Sequence, residues 1–102
     1  MGLCVALQSE SGEQLEMISD EKNLLARLVG NPDWKECPML ASIDRYGDTT
    51  FNSVQIEHFL IEWESLFVRA ATSEEKSLLQ SIKDLAERTL LNVHQYLVFI
   101  GD

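Results

Sequence analysis

The sequence is short of basic residues: eight Lys and Arg stand against 17 Asp and Glu in 102 residues, and the formal net charge is -9. The eight are scattered along the chain instead of forming a patch. A nucleic-acid-binding protein presents Lys and Arg to phosphates, because counterion release supplies much of its affinity. The same shortage disfavours an anionic membrane surface. We therefore expect neither nucleic acid nor membrane among the partners.

Long apolar runs, a basic leader segment and paired cysteine motifs are also missing. The longest apolar stretches are far too short to span a bilayer, and no basic region precedes the first apolar residues. The two cysteines, Cys4 and Cys37, lack metal-ligand spacing, which predicts reduced thiols in a cytoplasmic protein. The absence of a glycine-rich phosphate loop removes the usual nucleotide sites. We expect no cofactor and no metal ion.

Apolar and charged residues, by contrast, are present in ordinary amounts, 45% and 25% of the chain. These fractions are typical of a globular protein. A chain of 102 residues has room for one domain, and we predict a single acidic domain over residues 1–102. The acidity has two interpretations: it keeps a cytosolic protein soluble, or it steers a basic partner toward the surface.

The N-terminal third of the chain predicts two strands and a helix. The apolar run at residues 3–7 suits a buried strand, and residues 14–18 could pair back on it. Ser19 or Asp20 offers a side-chain oxygen to cap a helix. Gly30 can adopt the left-handed conformation that ends this helix.

A hairpin is predicted in the middle of the chain. Residues 38–43 are apolar enough for a strand, and residues 44–48, Asp-Arg-Tyr-Gly-Asp, have strong turn chemistry. Residues 49–51 are β-branched and aromatic, which predicts the return strand.

Two long helices follow, and each begins with the spacing of a capping box, Asn52 to Gln55 and Thr72 to Glu75. Each carries an apolar stripe at three- and four-residue steps. The first stripe comprises Ile56, Phe59, Leu60, Trp63, Leu66, Phe67 and Ala70. The second comprises Leu78, Leu79, Ile82, Leu85, Ala86, Thr89, Leu90 and Val93.

The fold class predicted from these elements is α+β. We expect a small, mostly antiparallel sheet with about three helices packed on one face, two of them a long antiparallel pair. Residues 96–100 could return to the sheet as a last strand, continue as helix, or pair parallel with an earlier strand.

The candidate contact residues with the densest polar setting are Asp44, Tyr46 and Asp48 on the predicted hairpin loop, together with Trp34 on another loop. Trp and Tyr dominate binding hot spots, although packing over the core edge explains both equally well. The two aspartates could contact a basic partner, hold a hard cation, or cap the turn.

A second group of candidate contact residues consists of Glu10, Glu13 and Glu16 on the first turn and strand. Their alternation could place some of them on one exposed face as an acidic ridge. An edge strand protected by charge is the alternative explanation.

Catalytic residues are not predicted. His58 and His94 lie outside any recognisable triad motif, and a helix C-terminus favours an imidazolium such as that of His94. The enzyme hypothesis that we keep open is a metal-dependent hydrolase using Asp44, Asp48 and His58.

The segment Asp-Arg-Tyr-Gly-Asp-Thr-Thr-Phe-Asn at residues 44–52, continuing to Gln55, resembles a group of small bacterial proteins. They share a pattern like Asp-x-Tyr-Gly-Asp-Thr-x-Phe-Asn-x-x-Gln. The ending Tyr-Leu-Val-Phe-Ile-Gly-Asp at residues 96–102 is similar to theirs as well. The resemblance implies a bacterial source and a shared fold, and it implies no particular activity.

A broader analogy is to immunity proteins, which neutralise toxins delivered by neighbouring bacteria and are often small and acidic. The leading hypothesis is therefore an inhibitor that occludes the basic active site of a toxin, such as a nuclease, through Asp44, Tyr46, Asp48, Glu10, Glu13, Glu16 and Trp34. The alternative is a regulatory or housekeeping domain that binds another protein, or its own copy through Ile61 and Val68. Monomer and homodimer both stay open.

Overall fold

In the computed structural model, which describes residues 3–101, the chain folds into an α+β structure, and this confirms the predicted fold class. The strands are β1 (Cys4–Ser9), β2 (Gln14–Ser19), β3 (Asp48–Phe51) and β4 (Gln95–Ile100). The helices are α1 (Leu24–Val29), α2 (Pro38–Ala41), α3 (Ser53–Glu64) and α4 (Ser73–Leu90), and a 3-10 helix (Ser65–Arg69) follows α3.

The sheet has the strand order β2-β1-β4-β3, and every neighbouring pair is antiparallel. The central pair, β1 and β4, is in register from Cys4 opposite Ile100 to Ser9 opposite Gln95. Of the alternatives left open for residues 96–100, the strand that returns to the sheet is the one that forms, and the helical continuation is wrong. The parallel alternative is wrong, because β4 runs antiparallel to both of its neighbours.

The core lies between one face of this sheet and the helices. Alternate strand residues such as Leu7 and Phe99 point into it, and both are fully buried. The Phe99 ring centroid lies 5.8 Å from that of Phe59 and 6.0 Å from that of Trp63. The indole of Trp63 donates a hydrogen bond to the Leu79 carbonyl at 3.0 Å, which satisfies its polar atom and links α3 to α4.

Both predicted capping boxes are present. The Asn52 side chain accepts from the Gln55 N–H at 2.9 Å, and the Thr72 hydroxyl accepts from the Glu75 N–H at 3.1 Å. The second predicted stripe extends too far along the chain, because α4 ends at Leu90 and the residues that follow lead to β4. Leu90 and Val93 are consequently exposed.

The predicted strand at residues 38–43 is wrong: α2 occupies most of this segment. A short apolar run does not distinguish a buried strand from a buried helix. Pro38 stands at the first helical position, which its fixed φ favours. The N–H groups of Met39 and Leu40 donate hydrogen bonds to the carboxylate of Glu62, which lies 22 to 23 residues further along the chain.

The predicted hairpin is therefore wrong as well, since β3 forms but pairs with β4. The start of α1 also differs from the prediction. Asn23, in the left-handed conformation, is the N-cap residue, and Ser19 belongs to β2. Asp20 still performs the expected task from further upstream, because its carboxylate accepts the N–H groups of Leu24 and Leu25, each at 2.8 Å.

Within residues 3–101, no helix combines the length and the apolar character needed to cross a membrane.

Candidate functional site

A groove of about 410 Å³ opens at the end of the sheet where β1 begins, and we call it the aromatic groove. It is lined by the segment after α1, which carries Trp34, and by the loop after α2, which carries Tyr46. Buried aliphatic residues form the floor, namely Leu3, Leu25, Val29 and Leu40. The groove thus combines an apolar floor with aromatic residues in its lining.

The two aromatic side chains of the groove are exposed, Trp34 to 66% and Tyr46 to 85%. The alternative that they pack over the core edge is therefore wrong. Asp44 lines the same groove, and Asp48 is exposed at the start of β3. The structure brings together Trp34, Tyr46 and Asp44, with Asp48 four residues from Asp44.

The loop that carries Tyr46 is held by local hydrogen bonds. The Asp44 carboxylate accepts the Tyr46 N–H at 2.9 Å, and the Thr49 hydroxyl accepts the Asp44 N–H at 2.9 Å. A Cβ on Gly47 would lie 2.7 Å from Asp44 Oδ2, so only glycine fits there without a shift. Asp44 therefore caps the turn, as one of the sequence interpretations holds, and its turn fixes the backbone beneath Tyr46.

The two segments that carry the family resemblance meet in space. The Gly101 N–H donates to the Gly47 carbonyl at 2.8 Å. A Cβ on Gly101 would lie 2.6 Å from both the N and the O of Gly47, which leaves no room for a side chain. Gly101 thus packs against the backbone of the loop that carries Tyr46. Asp102 lies outside the described residues.

Glu62 is a site-forming residue that the sequence interpretation missed. It is buried on α3, and its carboxylate accepts the Leu40 N–H at 3.0 Å while His58 Nε2 lies 3.0 Å away. It thereby fixes α2, whose Leu40 forms part of the groove floor. A signal existed, because Glu62 stands three residues after Phe59 and four before Leu66, on the apolar face.

Arginines fix the α1 side of the groove, and no sequence signal identified them. Arg45 donates to the Gly30 carbonyl across the groove, and Arg69 donates to the Leu28 carbonyl at 3.1 Å. Arg27 Nε donates to the buried Glu75 carboxylate at 3.0 Å. That hydrogen bond, together with N–H groups of the backbone, lowers the pKa of Glu75 to about 2. The C-terminal half of α1 is thus tied to α4, to the 3-10 helix and to the groove loop.

The other predicted carboxylates lie elsewhere. Glu10 and Glu13 flank the turn that joins the end of β1 to β2. Asp48 lies at the opposite end of the sheet, because it pairs with Ile100, and Ile100 pairs with Cys4 at the start of β1. Six strand residues separate these ends, roughly 20 Å. Glu10 contacts His94, and Glu16 forms an ion pair with Arg88. The structure therefore does not join this group to the aromatic groove.

The residues considered for catalysis have other contacts. His58 approaches Glu62, and within residues 3–101 no group of three or more His, Cys, Asp or Glu side chains is arranged to hold a metal ion. Burial raises the pKa of the Cys37 thiol, and the nearby carboxylates of Glu62 and Glu36 raise it further. The protonated thiol is the less nucleophilic form.

Comparisons with models of protein families, with curated proteins and with solved structures find no match to this chain. Its own geometry offers a preformed groove that suits an apolar or aromatic side chain of another protein, with Asp44 and Arg45 as the charged residues of the lining.

Proposed function

We propose that this chain is an immunity-type inhibitor that binds a basic bacterial toxin, such as a nuclease, through the aromatic groove. The observation that carries the proposal is the presence of two exposed aromatic side chains, Trp34 and Tyr46, in the lining of one groove with an apolar floor. Leaving such side chains in water is unfavourable, and burial against a partner recovers that free energy.

Rigidity supports the same proposal. The Tyr46 loop is fixed by the Asp44 carboxylate and the Gly47–Gly101 contact, and α2 is fixed by Glu62. A groove that is ordered before binding loses little conformational entropy when the partner docks. Tight and specific association is what an inhibitor requires.

The charge around the groove favours a basic partner. Trp34 has Asp33, Lys35 and Glu36 beside it in the chain, and Tyr46 has Asp44, Arg45 and Asp48, so each segment has two acidic residues against one basic residue, and the whole protein carries -9. Complementary charge raises the association rate and disfavours acidic competitors. A nuclease active site built to hold phosphates presents such a cationic surface, and the bound inhibitor blocks it sterically.

The test begins with the gene immediately upstream, which should encode a large secreted toxin. Cells that express its toxic domain should survive with the wild-type chain and die with the Trp34→Ala, Tyr46→Ala double variant. A matched control, Glu10→Ala with Glu13→Ala, should protect as well as wild type. An upstream gene that is not toxic, or full protection by the aromatic double variant, contradicts the proposal.

A second candidate function is a regulatory domain that docks another bacterial protein on the outer side of α3. The observation that favours it is a line of exposed aliphatic residues at seven-residue spacing: Val54, Ile61, 70% exposed, and Val68, 89% exposed. This spacing places Val54 and Ile61 on one face of α3, and Val68 follows in the 3-10 helix. Loss of partner binding in Ile61→Asp, with the groove variants unaffected, would favour this candidate over the inhibitor.

A further inference from the structure

Glu75 stands on the first turn of α4, away from the residues that line the aromatic groove, and its buried side chain makes two kinds of contact. One carboxylate oxygen, Oε1, accepts the N–H groups of Ala71 at 2.9 Å and Thr72 at 3.1 Å, and it completes the capping box. The other, Oε2, accepts from Nε of Arg27 at 3.0 Å and from its Nη2. A capping box is completed by Gln as well as by Glu, so the cap does not account for the second oxygen and its charge.

The guanidinium of Arg27 joins Glu75 to the 3-10 helix. Its Nη2 donates to the Glu75 carboxylate and also to the carbonyl of Arg69, the last residue of that helix, at 3.2 Å. A guanidinium presents its donors in a fixed fork, which lets one side chain hold two acceptors in a defined relative position. Removing the carboxylate would therefore free the Arg27 side chain and loosen its contact with Arg69.

The side chain of Arg69 in turn reaches the end of α1. Its Nη1 donates to the carbonyl of Leu28 at 3.1 Å and to that of Val29 at 3.4 Å. Carbonyls in the last turn of a helix have no partner within the helix, and an arginine can satisfy them. A Cβ on Gly30 would lie 3.3 Å from the same Nη1, so the guanidinium packs against Gly30 as well. Because Val29 and Gly30 line the groove, Arg69 supports this part of the lining from behind.

Gly30 is the point at which this support meets the loop that carries Tyr46. Arg45, the residue before Tyr46, donates to the Gly30 carbonyl. Gly30 has a φ of 61°, in the left-handed region that favours glycine. One residue of the lining is therefore held by Arg69 on one side and by Arg45 on the other, and a shift at Gly30 would reach the Tyr46 loop.

We propose that Glu75 is a positioning residue of the aromatic groove and acts on Gly30 through Arg27 and Arg69. The carboxylate is ionised at neutral pH, because the Arg27 hydrogen bond, with those from the backbone, lowers the pKa of Glu75 to about 2. The consequence for partner binding rests on the proposed function, whereas the order of the groove is a property of the free chain. Measurements on the free chain therefore test the positioning role separately from the inhibitor function.

Native-state amide hydrogen exchange of the full chain, with Glu75→Gln, tests the proposal. Gln keeps an oxygen for the cap but turns its N–H₂ group toward the donors of Arg27. Two groove amides should exchange at least about fivefold faster, namely that of Gly30, which donates to the Ala26 carbonyl, and that of Tyr46. The Ser9 amide, in the turn between β1 and β2, should be unchanged.

The matched control is Glu74→Gln, one residue earlier in the same helical turn. It removes the exposed ion pair with Lys22 and should leave exchange at Gly30 and Tyr46 as in wild type. A double-mutant cycle tests the route. In an Arg69→Met background, where the contact with the end of α1 is already lost, adding Glu75→Gln should produce no further acceleration at Gly30.

Wild-type protection of the groove amides in Glu75→Gln overturns the proposal. Equal acceleration at the groove and at Ser9 also overturns it, because that result shows a loss of overall stability alone. A full additional effect of Glu75→Gln in the Arg69→Met background does the same. A groove that loosens as expected in a chain that binds no toxin supports the positioning role and contradicts the inhibitor function.

Circular dichroism establishes that each variant is folded. If Glu75→Gln is not, Arg27→Lys replaces it and decides in the same way. An ammonium group lacks the fork that holds the Glu75 carboxylate and the Arg69 carbonyl together.

Discussion

The acidic residues that the sequence singled out as candidate contacts fall into two regions at opposite ends of the sheet, and the two regions differ in what their side chains contact. At the turn end, between β1 and β2, Glu10 contacts His94 and Glu16 contacts Arg88. At the groove end, Asp44 lies beside Trp34, Arg45 and Tyr46 in the groove lining, and its carboxylate fixes the backbone under Tyr46. Carboxylates that are paired within the chain have less to offer a basic partner.

This difference shows that net charge limits the class of partner but does not locate the binding site. The groove end is distinguished by features that charge alone does not supply, namely the apolar floor, two exposed aromatic rings and a rigid loop. The turn of residues 9–13 is also held by local hydrogen bonds, but it has neither the apolar floor nor the exposed aromatic rings, and it suits the interpretation that its charge keeps the edge of the sheet solvated.

The largest effect that we expect is a loss of partner affinity from variants at the groove end, compared with variants at the turn end. Trp34→Ala combined with Tyr46→Ala should weaken binding to the cognate toxin domain by about a thousandfold, since each aromatic hot spot contributes about 2 kcal/mol. Isothermal titration calorimetry measures this. The Glu10→Ala, Glu13→Ala control should change affinity by a few-fold at most, and equal losses from both pairs would erase the distinction between the ends.

A smaller effect, on the free energy of unfolding, is expected from a change in the contact between Gly101 and Gly47. Gly101→Ala forces a Cβ against the Gly47 backbone and should lower the free energy of unfolding by about 1–3 kcal/mol. Urea denaturation measures it, and partner affinity should fall as the loop shifts. Glu13→Ala, at the exposed turn end, should stay within about 0.5 kcal/mol of wild type. If Gly101→Ala is equally harmless, the chain end does not support the loop.

The pH dependence of stability should also differ between the ends. The Arg27 hydrogen bond lowers the pKa of Glu75 from 4.5 to about 2. The stabilisation is therefore complete above pH 4.5 and is lost as the pH falls from there toward 2. Thermal unfolding between pH 2 and 5 should show a shallower slope for Glu75→Gln than for wild type. Glu16→Gln, which removes an exposed pair at the turn end, should keep the wild-type slope.

The smallest effect concerns association rates. Asp44→Asn with Asp48→Asn should lower the association rate with the toxin domain about threefold at low salt and reduce its salt dependence. Asn keeps an oxygen that can accept the Tyr46 N–H, so the turn should persist. Stopped-flow fluorescence of the exposed Trp34 provides the signal. An on-rate that ignores ionic strength in the wild type contradicts the electrostatic part of the proposal.

The sequence predicted what depends on near neighbours along the chain. Both capping boxes and the β1–β2 pairing were correct, because their partners stand within about fifteen residues. The segment at residues 38–43 was wrong because the group that stabilises it as a helix, Glu62, is more than twenty residues away. A local apolar pattern contains no information about such a partner.

The candidate site was predicted in part for the same reason. Trp34 and Tyr46 were singled out as loop aromatics, but their position on one groove depends on α2, which the sequence interpretation replaced with a strand. The hypothesis placed Glu10 and Asp44 on one binding surface, and a local sequence pattern could not show that they lie at opposite ends of the sheet. His94, the contact of Glu10, is 84 residues away in the chain.

The most direct test of the central claim, that the groove end and not the turn end binds the partner, is a hydrogen-exchange footprint of the chain with and without the upstream toxin domain. The proposal predicts slowed exchange at residues 30–35 and 43–48, with residues 9–14 unchanged. Slowed exchange at residues 9–14, with the groove segments unchanged, would contradict it.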